Sequence, residues 1–311
     1  MKRIFSVFLC LFLLCGCGAR EGKRSGKVQV VTTLFPYYDF VREIAQDRAD
    51  VTLLLTPGRE AHSFEPTPTD VVTLSEADLF IYNGGESEEW VEDILEAAGE
   101  NISLSLCMFD SVNPCEEEFS EGMQKSRAAE EEEDEIEYDE HIWTSPRNAA
   151  LIVDAIADGL CRVDAENAAF YRGNAAAYGQ KLKALDAAFA DLRSEAKRNL
   201  LVFGDRFPLL YLLRDYDLDY RAAFHGCSSD TEPSLATMEY LIKTARENEI
   251  PVIYTVDLDS RRIAEAIAEC TGAKIETLYS AQTVSRVDFQ NGETYLSLME
   301  RNLQALRKGL M

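Results

Sequence analysis

Histidine, tryptophan and basic residues are scarce in this chain of 311 residues. It has three histidines, two tryptophans, and 31 lysines and arginines against 55 aspartates and glutamates, so its formal net charge at pH 7 is −24. A surface with so strong a negative charge repels phosphate backbones and anionic lipid headgroups. The composition therefore argues against nucleic acid and against anionic membrane surfaces as partners.

The common short motifs of catalysis and metal binding are also missing. No Cys-x-x-Cys pair occurs, which excludes a zinc ribbon and a thioredoxin-like redox motif. His-Glu-x-x-His, Gly-x-Ser-x-Gly and the Walker A loop are absent, so no general-base, nucleophile or phosphate-binding signature is present. Cys107 and Cys115 could bridge the loop between them, but cysteine connectivity cannot be read from a sequence.

No apolar run is long enough to span a bilayer. The run from Ile4 to Leu14, which follows Lys2 and Arg3, has the length of the apolar region of an export signal. It ends in Leu-Cys-Gly-Cys, which resembles a bacterial lipobox. We predict that residues 1–17 are a lipoprotein signal peptide, that Cys17 carries a lipid anchor outside the cytoplasmic membrane, and that residues 18–26 form a flexible tether. An ordinary cleaved signal is the alternative.

Short apolar runs alternate with amphipathic segments in both halves of the remaining chain. In the first half the pattern predicts strands over 28–33, 51–55, 79–82 and 102–106, with helices over 37–49, 67–77 and 87–99. In the second half it predicts strands over 200–203, 219–224, 252–256 and 275–278, with helices over 207–216, 234–248, 260–272 and 294–310. Such alternation predicts an α/β fold with two lobes, each with a four-stranded, mostly parallel sheet covered on both faces.

Residues 165–197 separate the two halves and carry one apolar stripe at helical spacing: Tyr171, Tyr178, Leu182, Leu185, Phe189 and Leu192. As a single helix the segment would be roughly 50 Å long. We predict an N-terminal lobe over 27–164, a connecting helix over 165–197 and a C-terminal lobe over 198–311. Two separate helices, broken near Gly173 or Gly179, are the alternative.

The N-terminal lobe contains an acidic loop, residues 116–140, with thirteen carboxylates and only two basic residues. A run of this kind is usually a solvated, unstructured segment. Its charge would also attract cations weakly and raise their local concentration.

The three histidines all lie near the ends of predicted strands, where open parallel sheets bind their ligands. His62 follows the strand 51–55, His141 comes shortly before a helix start at Ser145-Pro146, and His225 ends the strand 219–224. Asp205 follows the strand 200–203. Imidazole nitrogens combined with a carboxylate oxygen are typical ligands of a divalent transition metal. A lone histidine in a loop is more often a surface or capping residue, so the prediction depends on all of them converging.

Two segments carry a family resemblance. "PGREAHSFEPTPTD", residues 57–70, and "DEHIWTSPRNA", residues 139–149, resemble the two histidine motifs of the solute-binding proteins of zinc and manganese ABC importers, the ZnuA/TroA/AdcA family. The resemblance continues through "AENAAFYRGNAAAY" and "GETYLSLMERNLQAL" and covers nearly all of the chain that follows the signal. It implies two lobes joined by a rigid helix, with one metal ion in the cleft between them.

The same resemblance implies a carrier, not an enzyme. The metal would be handed to a membrane permease that is powered by a cytoplasmic ATPase, and we expect the carrier to be a monomer. His62 and His141 would be metal ligands. Glu65 lies near the first of them, and three prolines restrict the motion of its loop: Pro57, Pro66 and Pro68.

Two ligand positions of the family are not kept. A histidine or glutamate of many relatives falls on Gly204, and a late aspartate falls on Ala281; neither residue here can bind a metal. We expect His225 and Asp205 to compete for, or to share, the two remaining positions.

Three imidazoles with one carboxylate suit zinc, whereas more oxygen donors would suit manganese, so we favour Zn²⁺ over Mn²⁺. Three alternatives stay open on the sequence. A metal-dependent hydrolase could use the same ligands, the same fold could carry a siderophore or haem, and a surface lipoprotein can also serve in cell adhesion.

Overall fold

The computed structural model describes residues 26–59, 64–99, 102–123, 137–226, 228 and 232–311. The predicted signal peptide, Cys17 and most of the tether lie outside these residues, as do His62 and residues 124–136 of the acidic loop. Across the described ranges, no helix is both long and apolar enough to cross a membrane.

The first half of the chain forms a four-stranded parallel sheet in the order β2-β1-β3-β4. Its strands are β1 (Val28–Thr32), β2 (Ala49–Leu53), β3 (Leu79–Tyr82) and β4 (Leu104–Cys107). Three helices connect them in turn: α1 (Phe35–Ala45), α2 (Pro68–Ser75) and α3 (Trp90–Ala98). Each strand is thus joined to the next by a connection that contains a helix, which is the crossover that parallel pairing requires.

A fourth helix, α4 (Pro146–Val163), packs on β3 and β4. It begins where the sequence predicted, because the Ser145 hydroxyl accepts hydrogen bonds from two free backbone amides of the first turn, each at 3.1 Å, and proline is favoured at the first helical position. Gly159 lets α4 approach the sheet closely, since a Cβ there would lie 2.5 Å from the Leu106 side chain.

The second half repeats the plan, with the strand order β6-β5-β7-β8, again all parallel. The strands are β5 (Leu200–Phe203), β6 (Asp219–Ala222), β7 (Val252–Val256) and β8 (Lys274–Leu278). The helices are α6 (Leu210–Asp215), α7 (Leu235–Glu247), α8 (Arg262–Thr271), α9 (Arg286–Asn291) and α10 (Tyr295–Leu310). The fold class is therefore confirmed. The short helix α9 was not predicted, and β6 ends three residues before His225, not directly before it.

One continuous helix, α5 (Ala168–Glu195), connects the two sheets after a single 3₁₀ turn. At 1.5 Å per residue it is about 42 Å long. All six residues of the predicted stripe are buried along one face. Gly173 and Gly179 do not break the helix; a Cβ at either position would meet nothing within 4 Å. We keep residues 27–164, 165–197 and 198–311 as the proposed division into lobe, helix and lobe.

The two lobes also touch directly. The Trp143 indole N–H donates to the Ser280 carbonyl oxygen at 2.7 Å, and the Tyr295 hydroxyl donates to the Trp143 carbonyl oxygen at 2.7 Å. At the start of α10, the Tyr295 backbone amide donates to the buried Asp39 carboxylate at 2.9 Å. One apolar core runs through both lobes. Large relative motion of the lobes would break these buried contacts.

The cysteines among the described residues are free thiols. Cys107 and Cys115 are not bridged, and Cys161 and Cys270 are also unpaired. The possible disulfide across the loop between Cys107 and Cys115 is therefore not formed.

Candidate metal centre

A small cleft of about 150 Å³ opens between the two lobes. The N-terminal lobe contributes Gly58, Arg59 and His141 to its walls. The C-terminal lobe contributes residues that follow its strands: Arg206, Pro208, Gly226, Val256, Asp257, Leu258, Asp259, Ser280, Gln282 and Thr283. The cleft thus lies at the carboxyl ends of the second sheet, where the topology predicts a ligand site.

His141 is held in the cleft wall by the residue two positions before it. Its side chain is 1% exposed, and one oxygen of Asp139 lies 3.2 Å from the ring Nδ1 and 2.8 Å from the backbone amide of His141. Burial, the largest single effect, lowers the pKa of His141. The charge and hydrogen bond of Asp139, together with the charges of Glu140 and Glu117, outweigh burial, so the pKa is raised. A carboxylate at Nδ1 favours a proton there and leaves Nε2 as the nitrogen for a metal.

His225 repeats this arrangement. The ring is 7% exposed and its Nδ1 lies 3.1 Å from Oε1 of Glu117, a side chain that is itself 8% exposed. Its Nε2 is buried and has no hydrogen-bond partner within the described chain. A buried nitrogen lone pair without a partner is costly unless it binds something, and a metal ion would satisfy it.

Gly226, the residue after His225, lies directly against the His141 ring. A Cβ at Gly226 would lie 2.9 Å from Cε1 of His141, so a glycine lets the backbone pass against this ring. Gly226 lines the cleft, whereas His225 is not among the lining residues.

Asp205 precedes Arg206, which lines the cleft, but is not itself among the lining residues. It is 5% exposed, and its carboxylate accepts hydrogen bonds from the Thr255 hydroxyl at 2.7 Å, the Val256 amide at 2.9 Å and the Arg206 amide at 2.9 Å. Burial raises the pKa of Asp205 to about 6. Most of its lone-pair sites are therefore already used within its own lobe.

Gly204, where the resemblance would place a ligand, is closely packed against the second lobe's helix α8. A Cβ at Gly204 would lie 2.5 Å from Cα and 2.6 Å from the backbone N of Ala264 in α8. The first turn of α8 thus occupies the space that a ligating side chain would need. Ala281, the second position at which the resemblance implies a ligand, is fully buried. Its φ of 58° is a backbone conformation that residues other than glycine rarely adopt.

The sequence predicts that the loop 57–70 carries part of the site. The structure describes this loop only on either side of residues 60–63. His62 lies outside the described residues. On either side of it, Arg59 lines the cleft, and the buried Phe64 ring packs 5.0 Å from the Trp90 ring. Glu65 is exposed. Within the described ranges, which leave out His62 and Cys227 among others, no group of three His, Cys, Asp or Glu side chains is spaced to hold a metal.

Comparison with known proteins places these features in a family. The family model of ZnuA, described as "Zinc-uptake complex component A periplasmic", matches residues 30–309. The chain belongs to the ZnuA family. The predicted family resemblance is confirmed, and with it the two-lobe fold around a connecting helix.

Two relatives show how far the similarity extends. The chain is 33% identical over 311 residues to the zinc-binding lipoprotein AdcA of Streptococcus pneumoniae serotype 4; the match covers 99% of this chain and 61% of AdcA. This chain therefore spans about three fifths of the length of AdcA. The high-affinity zinc uptake system protein ZnuA of Bacillus subtilis strain 168 is 30% identical over 322 residues, covering 99% and 97% of the two chains.

Solved structures agree. The Zn(II)-bound ZnuA-like domain of S. pneumoniae AdcA matches with a TM-score of 0.73 and 31% identity over 92% of this chain and 99% of that domain. The laminin-binding protein Lmb of Streptococcus agalactiae, described as bifunctional with adhesin and metal transporting activity, matches with a TM-score of 0.75 and 25% identity over 91% and 100%.

Proposed function

We propose that this protein captures a divalent transition metal, zinc before manganese, in the cleft between its lobes and delivers it to an ABC permease driven by a cytoplasmic ATPase. The observation that carries the proposal is His141. It is a buried imidazole in the cleft wall, its Nδ1 is held by a carboxylate, and it lies within the range that the ZnuA family model matches.

The proposed ligands are His62, His141 and His225, with Asp205 as the carboxylate. His141 and His225 each meet a carboxylate at Nδ1, which is how proteins commonly orient metal-binding histidines. His62 belongs to the loop 57–70, and Arg59 of the same loop lines the cleft. For Asp205 to bind the metal, it must use the lone-pair capacity that its three hydrogen bonds leave.

A donor set of three imidazoles and one carboxylate favours zinc over manganese, which prefers oxygen ligands. The size of the cleft points to an ion as cargo. Pockets for organic ligands usually measure about 300–1,000 Å³, and the cleft, at about 150 Å³, is too small for haem or a siderophore in this conformation. The protein would act as a binding protein and not as a hydrolase.

The proposal also covers location and assembly. A lipid at Cys17 would hold a monomer at the outer face of the cytoplasmic membrane, and residues 18–26 would tether it there. The relative AdcA of S. pneumoniae is itself named a lipoprotein. Anchoring would keep the carrier close to the permease.

The test is a chelator-competition titration with zinc and with manganese on a soluble form that begins at Gly18. Wild type would be compared with His62→Ala, His141→Ala, His225→Ala and Asp205→Asn. We expect one tightly bound zinc per chain, lost in the first two variants and weakened in the third. Failure of the wild type to bind either metal would refute the carrier function, and unchanged affinity in His225→Ala would remove His225 from the site.

A further inference from the structure

The base of the acidic loop is an ordered two-stranded ribbon. Residues 115–117 and 137–139 pair in antiparallel fashion, with an isolated bridge between Glu116 and Tyr138. The Glu117 amide donates to the Glu137 carbonyl at 2.9 Å, and the Asp139 amide donates to the Cys115 carbonyl at 3.0 Å. The acidic loop thus leaves and re-enters the fold at a fixed place.

This ribbon carries both carboxylates that hold the histidines. Glu117, on the outgoing arm, meets Nδ1 of His225 at 3.1 Å, and Asp139, on the returning arm, meets Nδ1 of His141 at 3.2 Å. The Asp139–His141 pair is local, whereas Glu117 and His225 are 108 residues apart in sequence and belong to different lobes. The Glu117–His225 contact therefore depends on how the ribbon sits against the C-terminal lobe.

The C-terminal lobe holds the ribbon in that position. The Tyr211 hydroxyl donates to the Asp139 carbonyl at 2.7 Å and accepts from the Cys115 amide at 2.9 Å, so one side chain contacts both arms. The Tyr220 hydroxyl donates to the Glu118 carbonyl at 3.0 Å. Phe119 packs against the His225 ring, with the ring centroids 5.4 Å apart.

We propose that Glu117 is a positioning residue for metal binding, which makes the base of the acidic loop part of the metal centre. The inference rests on the proposed function. Glu117 accepts the Nδ1 proton of His225, so the Nε2 lone pair, which is buried and unpartnered, is free for the metal. In this way the ribbon would orient His225, the residue that we propose in place of a ligand at Gly204.

Exposed Glu116, one residue earlier on the same arm, provides a matched control. Replacing Glu117 with alanine removes the acceptor. Replacing it with glutamine keeps an oxygen acceptor but removes the charge. Replacing Glu116 with alanine leaves the ribbon backbone and Glu117 in place.

The first measurement reads the tautomer of His225 without any metal. With ¹⁵N-labelled histidine in the full chain, purified in detergent, only three imidazoles give signals, and His225→Ala identifies one of them. At a pH where His225 is neutral, we expect its proton on Nδ1 in the wild type, in Glu117→Gln and in Glu116→Ala. In Glu117→Ala we expect the proton to shift towards Nε2. A His225 spectrum that is the same in Glu117→Ala and wild type overturns the proposal.

The second measurement is zinc affinity in the same four proteins, with thermal unfolding to verify that each is folded. Loss of a carboxylate that orients a metal-binding histidine typically costs about 10–100-fold in affinity. We expect a loss of that size in Glu117→Ala, a substantial recovery in Glu117→Gln, and wild-type affinity in Glu116→Ala.

The outcomes separate this proposal from the carrier function. If the wild type binds no zinc while the tautomer still changes in Glu117→Ala, the carrier function fails and the Glu117–His225 contact stands. If zinc binds tightly but both Glu117 variants bind it equally weakly with an unchanged tautomer, Glu117 is itself a ligand and the positioning role is wrong. If zinc binds equally well to all four, Glu117 has no part in binding.

Discussion

The indole N–H of Trp143 and the carbonyl oxygen of Ser280, 137 residues apart in sequence, form a buried hydrogen bond of 2.7 Å between the two lobes. Trp143 lies two residues after His141, and Ser280 lines the cleft. The bond therefore fixes the spacing of the two cleft walls next to the candidate metal centre.

Trp143→Phe should loosen this connection. The ring would still fill most of the space, but the Ser280 carbonyl would lose its donor, at a cost of about 1–3 kcal/mol in the free energy of unfolding. Urea denaturation would measure the loss, and hydrogen exchange should be faster in residues 279–283. Exchange at the wild-type rate there would show that other contacts hold the lobes together.

Gly204→Ala should destabilise the protein, because the new methyl group would lie 2.5 Å from the Ala264 backbone. Overpacking of this kind costs about 1–3 kcal/mol. Gly204→His, which places an imidazole where the family resemblance implies a ligand, should be at least as unstable and should not strengthen zinc binding.

Gly173→Ala in α5 is the control for Gly204→Ala. Its Cβ would meet nothing within 4 Å, and alanine in a helix interior is about 0.5–1 kcal/mol more stable than glycine. The two alanine variants should therefore shift the thermal midpoint in opposite directions. A tighter zinc complex in Gly204→His would contradict the steric explanation.

Buried Asp39 should make folding stability depend on pH. Burial raises its pKa to about 6 in the folded state, whereas an unfolded aspartate has a pKa of about 3.9. Between these values the folded state binds more protons than the unfolded state, so its stability falls as the pH rises from 4 to 6, and the full cost remains above pH 6.

Asp39→Asn should remove that dependence while keeping an acceptor for the Tyr295 amide. The free energy of unfolding of the variant, relative to wild type, should rise by about 2–3 kcal/mol between pH 4 and pH 7. Urea titrations at several pH values would test this, with the exposed Asp191→Asn as control. Parallel curves for wild type and Asp39→Asn would contradict the assignment.

Zinc binding should release protons near neutral pH. Burial lowers the pKa of His141, but Asp139, Glu140 and Glu117 together raise it above the ordinary value of 6.5. A metal binds only the neutral imidazole. Calorimetry in buffers of different ionisation enthalpy should show more protons released per zinc at pH 6.5 than at pH 8. Asp139→Asn should release fewer at pH 6.5; equal release at both pH values would exclude His141 as the source.

The repeated alternation of strands and helices was readable from the sequence because each element carries its own period. The stripe from Tyr171 to Leu192 likewise predicted the buried face of α5. His141 and His225 became candidate ligands because histidine is so rare here, and their role as ligands stays a prediction. Signals of this kind lie within short segments, so they can be read from the sequence alone.

The partners of those histidines were not predicted. Glu117 is one of thirteen carboxylates in the acidic loop, and nothing near it in sequence distinguishes it from Glu116 or Glu118. Its role follows from the pairing of two arms and from their contact with Tyr211, which are long-range relationships. The blocked space at Gly204 depends in the same way on the approach of α8.

The contact between Gly226 and the His141 ring also sets an order of assembly. A chain that emerges with its N-terminus first, from a ribosome or through a membrane pore, exposes His141 long before Tyr211, His225 and Gly226. The N-terminal sheet can form at that stage, but the other wall of the centre does not yet exist. The two walls of the candidate centre can therefore meet only after residue 226 has emerged, when most of the chain is already available to fold.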